Sequence, residues 1–205
     1  AHYLDRAANF AKTTTAAMAA LAPVFYAAER AVQAVGHELI KGAKDFGEYE
    51  IAVTRVAQSM KDYNLFSQAA LEGHKKFVAE LSRKTTLSQP AILQTMAILA
   101  AGGIAGRQLD RSTSAVKDLA SEFGQDPDAI ARNLVAAKLG ATDYLRRYKI
   151  VLPKGLDPEQ KFERALSQIE QNFSGQATAR AGTSQGQLEN FQNRVADLRR
   201  ELGGP

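Results

Sequence analysis

The sequence predicts an all-α protein, and three observations carry that prediction. The apolar content is alanine-heavy: 45% of the 205 residues are hydrophobic, yet only 7% are aromatic and Trp is absent. Ala-rich cores suit closely approaching helices better than sandwiches or barrels. Strand-like alternation is almost missing, and the 6 Pro and 15 Gly sit mostly at apparent helix ends. A chain of this length forms one or two domains and buries a real core.

The elements follow in order. Residues 2–42 read as a long Ala-rich helix, bent at Pro23 where the ring clashes with the preceding turn. Tyr3, Phe10, Ala17, Leu21, Val24, Ala28, Val32, Val35 and Leu39 form its stripe, and Gly42 and Gly47 punctuate its end. A second helix is expected from Glu48 to Lys61, with Tyr49, Val53, Val56 and Met60 on one face. Ser67 caps the next, which runs to about Lys84 with Leu71, Val78 and Leu81 inward and Gly73 as a weak point. Ser88 and Pro90 open a helix that stops at Gly102-Gly103.

Another helix is expected from Ser112 or Thr113, with Val116, Leu119, Ala120 and Phe123 inward and Gly124 behind it. Asp126-Pro127-Asp128 places a cap, a first-turn Pro and an acid on the positive helix end. That helix carries Ile130, Leu134 and Ala137 and ends at Gly140. A short helix through Tyr144 and Leu145 leads to Ile150–Pro153, which reads as extended. Asp157-Pro158 repeats the cap signature and opens a helix bearing Phe162, Ala165, Leu166, Ile169 and Phe173. The resulting division is a long helix over 1–46, a short-helix domain over 47–156, and a C-terminal helical pair over 157–205.

The last helix differs from the rest. After a small-residue interruption at Thr178–Ala181, it places Leu188, Phe191, Val195, Leu198 and Leu202 at spacings of 3, 4, 3 and 4 and ends at Gly203-Gly204-Pro205. That is an a/d seam over two heptads. No chemistry needs such a seam, whereas helix-to-helix assembly does. These five residues are the candidate interface.

The balance of 26 Lys plus Arg against 22 Asp plus Glu gives a net charge of +4, scattered rather than gathered on a stripe. This reads as a solvated surface, with no aromatic-basic interleaving and no specific nucleic-acid face. Zero Cys excludes disulfides, thiol catalysis and Cys-based zinc sites. His2, His37 and His74 lie far apart without metal-ligand spacing and read as ordinary surface or helix-face residues. No Gly-x-Ser-x-Gly elbow is present. Gly102–Gly106 lacks the phosphate-loop pattern and reads as a helix cap and linker. Glu48/Glu50 and Asp126/Asp128 are spaced as solvated faces and caps. The expectation is a non-enzyme without cofactor or metal.

Two stretches carry no charge, Thr13–Ala28 and Thr85–Gly106. The second is long enough to span a bilayer, but its polar residues, Pro and glycines cut the helix to about a dozen residues. It reads first as a buried core helix, with a membrane-active segment and a partner groove as weaker readings. Asp5 and Arg6 precede any apolar run, so no signal-peptide pattern is present. The start at Ala1, already helical in pattern and without Met, reads as a processed start or as a piece of a longer protein, the second being the preferred expectation.

The tail Phe173-Ser174-Gly175-Gln176-Ala177, then Thr183-Ser184-Gln185-Gly186-Gln187-Leu188 and a helix closing on Gly, resembles the tail tape measure proteins of tailed bacteriophages. In that family a Phe-x-Gly-x-Ala helix end is followed by a Thr-x-x-Gly-x-Leu turn and an amphipathic helix. Upstream, Glu48–Val56 resembles its acidic-aromatic helix, and Leu81–Ser88 the loop before its central helix. Val116–Gly124 resembles its Asp-x-Ala-x-x-x-Gly segment. Leu145–Leu152 sits where the family often has a Leu-Arg-x-x-Gly-hydrophobic turn, with Lys149 in place of the glycine. The order of these motifs, over roughly three quarters of the chain, carries the resemblance.

The resemblance implies a structural virion protein. Such proteins lie in the tail tube or tip as several parallel copies, a three-fold set, and touch tube and tip proteins. They set tube length during assembly in the host cytoplasm and leave at DNA ejection, with transient host-membrane contact. Even one continuous helix of this length reaches only about 300 Å. A chain of short helices reaches less, so this part is expected to anchor the tape at an end rather than act as the ruler. Two alternatives stay open: a helical pore-forming or translocation protein, and a helical adaptor or chaperone domain.

Overall fold

The computed structural model describes residues 40–203 together with Arg30, His37 and Glu38. The bend at Pro23 and most of the expected first stripe lie outside the described residues. Within them the protein is all-α, with one 3-10 turn and no strand.

Helix α1 runs unbroken over residues 40–62, straight through Gly42 and Gly47. The expected helix end at these glycines, with a new start at Glu48, is therefore corrected. A helix-interior glycine costs about 1 kcal/mol relative to alanine. Helix α1 more than offsets that by burying Ala52, Val56 and Met60 one turn apart. Helix α2 (Gln68–Lys84) is capped as expected, Ser67 Oγ accepting from Ala70 N at 3.1 Å. Leu71 and Val78 are buried, with Leu81 half-buried.

Helix α3 (Gln89–Ala101) starts at Ser88 with Pro90 in its first turn and ends on Gly102. Ile92, Leu93, Met96 and Leu99 are fully buried, so the uncharged stretch is core. Among the described residues no helix is long and apolar enough to cross a membrane. Gly103, with φ +79°, turns the chain, and Ile104 N donates back to Leu99 O at 3.2 Å.

Helix α4 (Gly106–Phe123) begins six residues before the expected Ser112. Its first residue follows Ala105, which has no side-chain cap, so the usual start signal is missing. Ser112 and Thr113 are helix-interior residues instead, and Thr113 Oγ1 donates to Leu109 O at 2.8 Å. Gly124 ends the helix in the left-handed region, as expected. Helix α4 is the central element, packing on α2, α3, α5 (Pro127–Lys138), α6 (Pro158–Phe173) and α7 (Gln176–Ala181).

Asp126 caps α5 through Asp128 N and Ala129 N, and Asp157 and Gln160 form a reciprocal capping box on α6. Between them the expected short helix through Tyr144 and Leu145 forms as a 3-10 helix at Asp143–Tyr148. It closes on Lys149, which adopts φ +59°, in the left-handed region that favours glycine. Ile150 beyond it is buried in a coil segment. Tyr148 is buried and donates its hydroxyl to Gln125 Oε1 at 2.8 Å. Phe123 joins its ring to that of Phe173, centroids 5.2 and 5.5 Å away respectively. Phe162, Ala165, Leu166 and Ile169 of α6 enter the same core as α3 to α5.

A polar clamp also ties α4 to α6. Arg111 donates to both Glu170 oxygens, at 2.8 and 2.9 Å, and to Glu163 at 2.9 Å. Thr178–Ala181, expected as a small-residue interruption, instead belong to the short helix α7. Asp118 of α4 accepts from Ala177 N at 2.9 Å and so holds its first turn. Helix α8 (Ser184–Gly203) follows.

Candidate functional site: the outward face of the last helix

The start of α8 explains its Thr-x-x-Gly spacing in physical terms. Thr183 is the capping residue, its Oγ1 accepting from Gly186 N at 3.0 Å. Gly186 is buried where α8 crosses α7: a Cβ there would collide with Arg180 O and come within 2.8 Å of Ala181 Cα. Only glycine lets the two backbones approach this closely. Arg180 reaches across to Glu189 at 3.5 Å, reinforcing the crossing.

From there α8 docks on the domain by its polar side. Asn193 Nδ2 donates to Thr86 O at 2.9 Å, and Gln89 Nε2 donates to Asp197 Oδ2 at 3.2 Å. Arg200 is buried, donates to Asp197 Oδ1 at 2.8 Å and lies 4.6 Å above the Tyr49 ring. Arg199 pairs with Glu38. The loop before α3 and helix α1 thus receive a row of charged and amide side chains, where a packed helix normally presents its apolar stripe.

The predicted interface residues lie on the other side. Leu188, Phe191, Leu198 and Leu202 are 59, 64, 59 and 75% exposed, and Val195 is half-buried. At 100° per residue the centre of this row lies about 170° from the Asn193–Asp197–Arg200 row. The structure therefore brings the five residues onto one face and gives that face no intramolecular partner among the described residues. Sequence reasoning missed the docking row. Its spacing of four and three was readable, but polar residues at helical spacing ordinarily mark the solvated side.

The other sequence candidates lie elsewhere. His37 is exposed, whereas His74, expected at an ordinary surface or helix-face position, is buried on α2 with Nδ1 2.8 Å from Asp110 Oδ1. The hydrogen bond to Asp110 on α4 satisfies a ring that would otherwise be a lone buried polar group. His74 also borders a cavity of about 80 Å³ lined by Met60, Tyr63, Leu65, Ile104 and Leu109. Drug-sized ligands occupy roughly 300–1,000 Å³, so that cavity does not accommodate one. Asp128, expected as a cap-side acid, accepts from Gln94 at 2.8 Å and Thr95 at 3.0 Å and ties α5 to α3. No three His, Asp or Glu side chains converge as a metal site among the described residues.

No protein-family model matches the chain, and neither a curated protein nor a solved structure does.

Proposed function

We propose that this chain is a non-catalytic assembly element of a phage tail tape measure protein, working in the tail tube or tip through the seam of α8. The observation that carries the reading is the reversal of α8: its polar side is spent on its own domain and its apolar side faces outward. Exposing four large apolar side chains in one row costs solvation free energy at every position. A heptad row recovers that cost only when a second helix covers it. The order of tape measure motifs along the sequence supplies the class of structure in which such helices meet. In this reading the short helices of residues 47–173 hold α8 in place, and the seam anchors the tape.

The test is made in the gene that encodes the chain. Phe191→Asp with Leu198→Asp is expected to abolish tail assembly, seen by negative-stain electron microscopy of infected-cell lysates. Block deletions within residues 47–173 are expected to do the same. Normal tails from the seam variant, or tails shortened in proportion to each deletion, would overturn the reading.

A further inference from the structure

The charge of α6 is divided between two sides. Glu159, Glu163 and Glu170 form one row and are all engaged within the body, by Lys138, Gln108 and Arg111. Lys161, Arg164 and Gln168 form a second row, about 150° away at 100° per residue. Gln168 Nε2 donates to Val151 O at 3.0 Å, which lays the coil before α6 along this second row. We infer that the coil and the row together bind the phosphate backbone of double-stranded DNA without reading its sequence.

Cations spread along the sequence are gathered there. Residues 144–156 contain Arg146, Arg147, Lys149 and Lys154 and no acid, a charge equal to the +4 of the whole chain. Lys161 and Arg164 of α6 join them. From Val151 to Lys154 the coil advances about 10 Å toward the start of α6. From Gln168 back to Lys161 the helix covers about the same distance, so Lys154 comes alongside the cations of α6. Arg146, Arg147, Lys149, Lys154 and Arg164 are exposed. Of the six, Arg146 alone has an ion pair among the described residues, 3.9 Å from Asp143 with side chains 81 and 91% exposed. Such a surface pair is worth little. Nearby Asp157 is engaged as the α6 cap, accepting from Gln160 N at 2.8 Å.

Lys149 is an independent observation. Its backbone takes φ +59°, where glycine would be unstrained, and its exposed side chain has no hydrogen bond or ion pair among the described residues. A cation is thus held at a strained position with no bond in the fold to account for it. The chemistry of the surface then selects the ligand. The cations spread over about 10 Å rather than converging on one point, which suits a row of phosphates and not a single small anion. A bilayer contact needs an apolar insertion surface beside its cations. Val151, 73% exposed, is the one large apolar side chain exposed between residues 144 and 164. Single-strand binding needs exposed rings for base stacking, whereas Tyr148 is buried and Tyr144 half-buried. A duplex backbone requires charge alone.

Fluorescence anisotropy of the whole 205-residue chain with a labelled DNA duplex of mixed sequence tests this. Log Kobs is expected to fall against log salt with a slope of about −4 to −5, as for about five phosphate contacts. Lys149→Gly and Arg164→Gln are each expected to reduce that slope by about 0.9 and to weaken binding about tenfold at about 50 mM salt. Lys149→Gly relieves backbone strain, so its loss of binding is not a loss of fold. Lys76→Gln, which removes an exposed charge from α2, is expected to leave the slope unchanged. No binding at low salt, or equal effects of all three variants, overturns the surface. Flotation with phosphatidylglycerol vesicles is the second arm. Capture that Lys149→Gly abolishes, without duplex binding, assigns the surface to a bilayer and overturns DNA as its ligand. The surface shares no residue with the α8 row, so its failure leaves the assembly reading standing.

Discussion

The Arg200 guanidinium lies 4.6 Å over the ring of Tyr49, joining the buried side of α8 to α1. The same guanidinium donates to Asp197, which also accepts from Gln89 at the start of α3. One arginine thus links three helices from a face that would ordinarily be solvated. The energetics of α8 are inverted relative to a usual amphipathic helix, and that inversion is measurable.

Arg200→Ala is expected to destabilise the chain by about 2 kcal/mol, through loss of a cation–π contact and of a charge-assisted hydrogen bond that leaves Asp197 held by Gln89 alone. Leu198→Ala, in contrast, is expected to change stability by less than about 0.5 kcal/mol, since its side chain is already in water. Urea unfolding at low protein concentration, where copies are apart, reads both. A larger loss for Leu198→Ala than for Arg200→Ala would show the seam to be intramolecular core.

Gly186 controls how closely α8 sits on α7. Gly186→Ala is expected to cost about 1–3 kcal/mol, because the new methyl meets the backbone of Arg180 and Ala181, which cannot rotate away. Gly73 in α2 is the control: nothing lies within 4 Å of its added Cβ. Gly73→Ala is expected to stabilise by about 0.5–1 kcal/mol through helix propensity and a less flexible unfolded chain. Amide hydrogen exchange over residues 184–203 distinguishes loosened docking of α8 from a global effect. Equal and small effects of the two alanines would remove the argument for close backbone contact.

Most of this architecture was legible because its signals are local. Ser67, Ser88, Asp126 and Asp157 announce helix starts through their own side chains, and each caps the helix it was expected to cap. The missed boundaries are those where tertiary contact overrides local preference. Helix α1 runs through Gly47 because burial of Ala52, Val56 and Met60 outweighs one glycine, and α4 starts at Gly106 with no cap to read. For the candidate site, the five-residue row was visible as a period. Its outward direction was not, because it depends on Thr86, Gln89 and Tyr49, more than a hundred residues away.

Lys149 shows the same competition at a turn. It holds φ +59° as the residue closing the 3-10 turn, and its backbone N–H donates to Arg146 O at 2.9 Å. A side chain there costs on the order of 1 kcal/mol relative to glycine. The turn forms nevertheless, anchored on either side by buried Tyr148 and Ile150. Lys149→Gly is expected to stabilise the chain by about 0.5–1 kcal/mol. A raised urea midpoint with an unchanged slope supports this; a lowered midpoint means that the lysine side chain contributes more than its backbone costs.

Lys117, near the middle of α4, gives the pH-dependent prediction. Its side chain is 1% exposed, and its Nζ has no hydrogen-bond partner among the described residues. Burial holds the amine well below the ordinary lysine value of 10.5, with neighbouring Asp118 only partly opposing the shift. The sign follows from proton counts. Between the depressed folded pKa and 10.5, the unfolded chain binds a proton that the folded chain does not. This residue therefore costs stability in neutral solution, and the cost shrinks as pH rises toward 10.5. Lys117→Met keeps the length of the side chain and removes the buried amine. It is expected to stabilise by about 1–3 kcal/mol at neutral pH. The gap between variant and wild type should narrow steadily as pH is raised, and taking the difference at each pH cancels the titration of every other group. Urea midpoints of both proteins, measured in parallel from neutral to alkaline pH, give that difference directly. A gap that stays constant means Lys117 titrates alike in the folded and unfolded chains.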